Sequence, residues 1–389
     1  MNWELIGDIL LATVPLLVIF PSMFALTTWV ERKALARIQN RIGPNKVGVP
    51  LTPYGGNLSL FGLGQPAADG IKMLFKENIV PTGADRLFHL LAPILSLIPA
   101  MLVLCFLPLE FPWLNGEQNS VKAFMLDGAV IFFFAITGLN TLAVFMAGWA
   151  SRNKYSLLGG MRAIAQMVSY EIPLVLSAVV VVMIVGSLNA AEIAEAQAGW
   201  NWYVFQPWGL AAFVIFFIAA LAETNRSPFD LPEAESEIIA GYFTEYSGFK
   251  FALFFLGEYI AMFAISGLAV TLFLGAGGGP GVEALPWLKV IWFLAKVCIL
   301  IGVMIWLRGT LPRLRVDQLM GFAWKFLLPL SILNIFIAGF AWHAKKANEG
   351  TAVSVIVWVA ALIILYAAAK GLDHVNRAKV KPRTYQYGE

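Results

Sequence analysis

The sequence predicts an all-α fold: a polytopic membrane helix bundle of about nine transmembrane helices with the N-terminus outside, plus a short interfacial amphipathic helix. Three observations carry this. Of 389 residues, 59% are hydrophobic and only 13% charged, with a mean hydropathy of +0.75; an ordinary soluble domain has about twice that charge fraction. Apolar runs of roughly 20 residues, the length that crosses a bilayer, recur along the whole chain. Basic residues concentrate on alternate connections.

The runs lie at about 5–30, 87–109, 124–149, 164–187, 207–224, 250–275, 287–307, 322–342 and 351–370. The first residues, with Asn2, Glu4 and Asp8, have neither a basic leader nor a small-residue cleavage site, so the first run is read as a helix and not a secretory signal. With the N-terminus outside, one side receives 31–86, 150–164, 224–250, 308–325 and the tail from 370. Those segments hold 22 of the 27 Lys and Arg. The other side holds Lys122, Lys289, Lys345 and Lys346, while Lys296 lies inside a run. This bias puts the basic side in the cytoplasm. The net charge of +3 is then a topology signal and implies no nucleic-acid partner. The chain reads as a single integral membrane domain over 1–389. Within it lie a cytoplasmic loop 31–86, an acidic cytoplasmic loop 223–249, and an extra helix with a basic tail at 351–389.

The loop 31–86 has two parts. Glu31-Arg-Lys and the bases that follow continue the first helix, with Lys33 and Arg37 placed to snorkel to lipid headgroups. Further on, Ala67, Ile71, Leu74 and Phe75 recur at helical spacing, and Asp69, Lys72 and Lys76 lie away from that stripe. This is the pattern of an amphipathic helix lying in the interface. Such a helix can frame an entrance for a lipid-soluble ligand; packing on the membrane surface alone fits the pattern equally.

The acidic loop is the most unusual segment. Residues 223–245 hold Glu223, Asp230, Glu233, Glu235, Glu237 and Glu245, six of the 24 acids of the chain, with one base, Arg226. Carboxylates beside a bilayer are costly to desolvate and are retained where they serve a purpose or reach water. A solvated linker needs no Pro228, Pro232 or aromatic residues among its charges, so this segment is expected to fold.

Glu31, Glu171, Glu223, Glu258, Lys296 and Arg308 fall within or at the mouths of apolar runs. Pro173, near Glu171, frees a backbone carbonyl that polar groups or water can satisfy. Desolvation disfavours charged forms, so such groups can exchange protons near neutral pH. So many in one chain point to a hydrated proton path, against the alternative of static pairs such as Glu258 with Lys296. Other chemistries are closed off. Cys105 and Cys298 are the only cysteines, so the chain holds no Cys-rich iron–sulfur site. His89, His343 and His374 are widely spaced and read as packing residues, leaving no metal site. The run Gly275-Ala-Gly-Gly-Gly-Pro-Gly281 lacks the Lys-Ser/Thr of a phosphate loop and reads as a flexible turn.

The segment Ala222-Glu-Thr-Asn-Arg-Ser-Pro-Phe-Asp-Leu-Pro-Glu-Ala-Glu-Ser-Glu237 resembles the signature loop of the H subunits of proton-pumping NADH:quinone oxidoreductase, respiratory complex I. A second stretch, from Gly148 through Arg162 and Gln166 to Glu171, is similar to another signature of that family. Glu31-Arg-Lys, Arg41-Ile-Gly-Pro-Asn45 and the run from Arg308 to Met320 match as well, in order, between about residues 10 and 340. The resemblance implies a component of the complex that sits in the membrane beneath the peripheral arm and has no redox centre, flavin or iron–sulfur cluster of its own. Quinone is implied as bound substrate, in a chamber roofed by peripheral-arm subunits and floored by this chain. Arg32, Asp69 and Lys72 match positions at the chamber mouth, with Glu233, Glu235 and Glu237 beneath the quinone headgroup. Glu31, Glu171, Glu223 and Glu258, with Arg162 and Lys296, match charges leading toward antiporter-like membrane subunits. Implied partners are those subunits, membrane lipid and quinone, in a bacterial inner membrane crossed many times.

Two departures stand out. Residues 46–63 are longer than the compact linker common in the family, and the third run has no acid inside it, only Asp127 near its start. Two other readings compete: the related membrane anchor of a hydrogenase or formate hydrogenlyase, and an autonomous ion transporter. The full Glu-Thr-Asn-Arg-Ser-Pro-Phe-Asp run favours the quinone enzyme, and the chain lacks the paired halves of a transporter.

Overall fold

The computed structural model describes residues 22–47, 49–50, 57–58, 61–104, 107–108, 110–111, 121–122, 127–231, 240–282, 285, 287–347 and 351–376. Helices dominate. They are α1 (22–38), α2 (Gln65–Phe75), α3 (Arg86–Leu104), α4 (Ala129–Ala150), α5 (Lys154–Val185), α6 (Ala190–Glu195), α7 (Pro207–Glu223), α8 (Gly248–Phe273), α9 (Leu288–Thr310), α10 (Val316–Phe322), α11 (Leu328–Ala347) and α12 (Thr351–Asn376). A π turn, Ala323–Leu327, joins α10 to α11. Two-residue ladders, Val49–Pro50 with Asn57–Leu58 and Glu110–Phe111 with Val121–Lys122, close two loops without changing the all-α class.

Among the described residues six helices are long and apolar enough to cross a membrane: Arg86–Leu104, Ala129–Ala150, Lys154–Val185, Gly248–Phe273, Leu288–Thr310 and Val316–Ala344. Pro207–Glu223 and Trp358–Leu372 are shorter apolar helices. Most of the first expected span, 5–30, lies outside the described residues. The fourth span differs from expectation. Its helix begins at Lys154, so most of 150–164 is helix and not a loop. Lys154 and Arg162 interrupt the hydropathy there, but Gly159, Gly160 and Ala163 are buried against neighbouring elements. Packing of small residues, and not apolarity, extends the helix. Asn153 caps it, accepting from the Tyr155 N–H at 3.0 Å.

The core is made by α3 on α4 and α8, and by α5 on α4, α7 and α11, with α9 along α8. Successive spans alternate in direction. One end of the bundle therefore gathers α2, the 150–153 turn and the acidic segment; the other gathers 186–206 and 274–282. The expected amphipathic helix forms as α2, and its stripe residues Ile71, Leu74 and Phe75 remain exposed on this chain.

Candidate functional site: a buried charge network beneath the acidic segment

The site begins where α7 stops. Asn225 adopts φ +50°, the left-handed conformation that Asn tolerates at a helix end. The Arg226 N–H then returns to the Leu221 carbonyl at 3.0 Å and that of Asn225 to Ala222 at 3.3 Å. This closure turns the chain back into the bundle. Gln166 of α5, fully buried, staples it by donating to the Ala222 and Phe229 carbonyls, both at 2.7 Å. Residues 224–230 are consequently buried, as expected of a segment that folds.

Arg226, thrown inward, meets Glu31 from the end of α1. Its Nη1 lies 3.3 Å from Oε1, and its guanidinium carbon sits 4.0 Å from the ring centre of Tyr259 on α8. The Tyr259 hydroxyl donates to Glu31 Oε2 at 2.7 Å, and Arg308 from the last turn of α9 donates to Oε1. Glu31 is only 3% exposed. A buried carboxylate is tolerable when charge and hydrogen bonds are both supplied, and here three separate elements supply them.

Glu223 is different. It is 9% exposed, and its Oε2 has no hydrogen-bond partner in the protein. It lines a cavity of about 30 Å³ shared with Ser96, Thr137, Asn140, Thr224 and Gly257, where Ser96 Oγ donates to Asn140 Oδ1 at 3.0 Å. The other walls of this cavity are apolar, formed by Pro99, Ala100, Val103, Ala261, Ala264 and Ile265, and its volume has room for a water beside the polar groups. Glu171 stands close enough for its charge to act on Glu223, and faces Gly138. Glu258, next to Gly257, accepts from the Tyr242 hydroxyl at 3.3 Å, and its charge acts on Arg226. Glu31, Glu171, Glu223 and Glu258 thus belong to one connected region. Arg162 lies half-buried on α5.

Lys296 does not join them. Its ammonium donates to the carbonyls of Leu274, Ala276 and Gly278 at the opposite end of the bundle. No pairing of Lys296 with Glu258 is present among the described residues. Arg32 Nη1 reaches Asp69 Oδ2 at 2.5 Å, tying α1 to α2, and within α2 Gln65 donates to Asp69 Oδ1 at 3.1 Å. Lys72 is exposed beside them. Glu233, Glu235 and Glu237 lie outside the described residues.

Sequence reasoning missed Arg226, Tyr242, Tyr259 and Gln166 as site residues. A signal existed for Arg226: a lone base in a folded acidic segment needs a carboxylate partner. It also left out a cluster around Glu245. There Asn153 Nδ2 donates to Glu245 Oε1 at 2.7 Å, and buried His89 stacks on Tyr246 at 4.1 Å. Lys250 Nζ donates to His89 Nδ1 at 3.1 Å. Burial pushes the Tyr246 phenol above its ordinary range. The histidine is a packed residue, as expected. Among the described residues no group of His, Cys, Asp or Glu could hold a metal ion.

A family model described as NADH dehydrogenase matches residues 11–339. A protein of Geobacillus kaustophilus, named as the H subunit of NADH-quinone oxidoreductase, is 48% identical over 309 residues, 79% of this chain and 86% of the relative. The protein of the same name from Thermomicrobium roseum is 45% identical over 350 residues, 87% of this chain and 97% of its own length. One from Dehalococcoides mccartyi is 47% identical over 312 residues, 80% of each chain. The chain belongs to the family of NADH-quinone oxidoreductase H subunits. It is therefore a membrane component of an oxidoreductase complex, and its enzymatic role is exercised together with other subunits. The acidic segment, its Arg226 anchor and the Glu223 cavity all lie within the matched span of this H-family chain.

Proposed function

We propose that this chain floors a quinone chamber of a proton-translocating NADH:quinone oxidoreductase in a bacterial inner membrane, and that its buried carboxylates couple quinone reduction to proton movement. The observation that carries the reading is Glu223. A buried carboxylate with one oxygen unpartnered, lining a cavity large enough for a water, supports a proton-exchanging role. Glu171 and Glu258 flank it, and the Glu31–Arg226–Arg308 network fixes the charge against which it titrates. Reducing a quinone consumes protons, and charge created above the site shifts the protonation of neighbours. Arg32, Asp69 and Lys72 frame the entrance, and Glu233, Glu235 and Glu237 sit beneath the headgroup. Residues 1–389 act as one membrane domain, with peripheral-arm subunits above the acidic segment and antiporter-like subunits beyond Glu171.

The test is Glu223→Gln in the complete complex. Gln keeps the shape and hydrogen bonding but carries no proton. Quinone-linked NADH oxidation and proton uptake are expected to fall together, while oxidation by a water-soluble acceptor that draws electrons upstream stays normal. Parental coupled activity in this variant would remove Glu223 from the path.

A further inference from the structure

At the end of the bundle away from the acidic segment, side chains cap the last turn of α8 beside a pocket of about 230 Å³ lined by Ala276, Gly278 and Phe293. α8 finishes at Phe273, and its last carbonyls point past the helix terminus. Gln197 Nε2 takes those of Thr271 and Leu272 at 3.0 and 3.1 Å. Lys296 Nζ donates to Leu274, Ala276 and Gly278 at 2.6, 2.9 and 2.7 Å. Three carbonyl acceptors match the three N–H groups of an ammonium, the form of Lys296 that this geometry suits. Its position complements the partial negative charge of a helix C-terminus. The Trp202 ring covers it at 4.2 Å, and it is 7% exposed. The glycine-rich run turns carbonyls of Ala276 and Gly278 toward this side chain. Gly275 has φ +66°, and a Cβ at Gly277 would come within 2.7 Å of the Lys289 carbonyl.

Between this cation and the carboxylates lies buried, mostly apolar protein, with the Glu223 cavity reaching only as far as Ile265. From Glu258 to Leu274 α8 rises about 24 Å, and residues Met262–Phe273 are all buried. Its two polar side chains there are spent locally: Thr271 donates to the Gly267 carbonyl at 2.9 Å, and Ser266 contacts the Met304 sulfur at 4.0 Å. Phe293, Val297, Leu300 and Ile301 of α9 are buried in the same core.

We propose that Lys296 is the outer seal of the bundle: a fixed ammonium, pinned by loop carbonyls, that repels protons from the apolar end of the carboxylate path. Like charges repel strongly where the dielectric is low, and a fixed cation at a constriction is an established way to exclude protons. The inference rests on the proposed proton path for its purpose. Its test reads leak without turnover, so the two readings fail separately.

The complete complex carrying Lys296→Gln, Lys296→Met or Lys296→Arg is reconstituted in liposomes, and proton entry is followed after an imposed pH step with no NADH present. Leak is expected to rise severalfold in Lys296→Gln and Lys296→Met and to stay at the parental rate in Lys296→Arg. Gln retains two donors for the loop but no charge, so a role confined to capping predicts a lower unfolding temperature in Lys296→Gln and Lys296→Met with leak at the parental rate in the assembled complex. Parental tightness in Lys296→Gln overturns the proposal, as does equal leak in Gln and Arg. Loss of assembly in both neutral variants, whether or not Lys296→Arg assembles, makes Lys296 a folding cap and overturns it too.

Discussion

Two acids of this chain meet the same cost of burial in opposite ways. Glu31 is compensated by Arg226, Arg308 and Tyr259, while Glu223 keeps one oxygen without a partner and lines a small cavity. The first arrangement gives Glu31 partners that cannot be removed cheaply. Arg226→Leu leaves a buried carboxylate short of countercharge and is expected to destabilise by ~3 kcal/mol. It also removes the contact with the Tyr259 ring. Tyr259→Phe removes one hydrogen bond to a charge and is expected to cost ~1.5 kcal/mol. Both should lower the unfolding temperature of the purified complex, in that order. The exposed Arg32–Asp69 pair, with Arg32 at 52% side-chain exposure, sets the contrast: Arg32→Ala should change stability by under ~1 kcal/mol. An Arg226→Leu complex as stable as the parent would show that Arg308 and Tyr259 alone compensate Glu31.

At the level of elements, the decisive contact is α5 against the short turn Gly241–Phe243. Gly159 allows it: a Cβ there would lie 2.6 Å from the Gly241 Cα. The close approach seats Tyr242, whose carbonyl accepts from Ser156 Oγ at 3.3 Å and whose hydroxyl donates to Glu258. Gly159→Ala must push backbone away from backbone, so it is expected to lower quinone-linked activity and thermal stability in an assembled complex. Gly160→Ala, whose nearest heavy atom is at 3.5 Å, should be milder; equal effects would locate the sensitivity in α5 itself. This element also shows what a sequence makes legible. The helices could be read because long apolar runs have one common use in a bilayer. Acids inside those runs could be read because their burial is costly. The start of α5 could not, since its first turns are set by packing of Gly159, Gly160 and Ala163. Nor could the π turn at Ala323–Leu327, beside which Trp324 donates to Ser169 at 3.2 Å and Tyr170 donates to the Leu319 carbonyl at 2.9 Å. The partners of Glu31 were hidden for a different reason. Arg226 is 195 residues away along the chain, and no local pattern encodes such a meeting.

The whole molecule has two unlike ends, and the proposals depend on which faces which compartment. The acidic segment, α2 and the 150–153 turn share one end with most of the basic residues, and positive charge is retained on the cytoplasmic side. The Lys296-pinned loop and the aromatic stack of Trp200, Trp202 and Phe205 share the other. Orientation can be read by placing single cysteines on a background of Cys105→Ser and Cys298→Ser. Trp200→Cys, at a site 67% exposed, is expected to react with a membrane-impermeant maleimide added to intact cells. Lys76→Cys and Arg152→Cys, exposed at the opposite end, are expected to react only after the membrane is opened. The reverse pattern would place Glu223 and its segment on the outer face, away from any arm that delivers electrons from NADH. Lys296 would then guard the cytoplasmic side, where a proton path needs an entrance. Reversed labelling would therefore sink the chamber and the seal at once, whereas labelling as expected supports the direction of both and leaves their chemistry to the Glu223 and Lys296 variants.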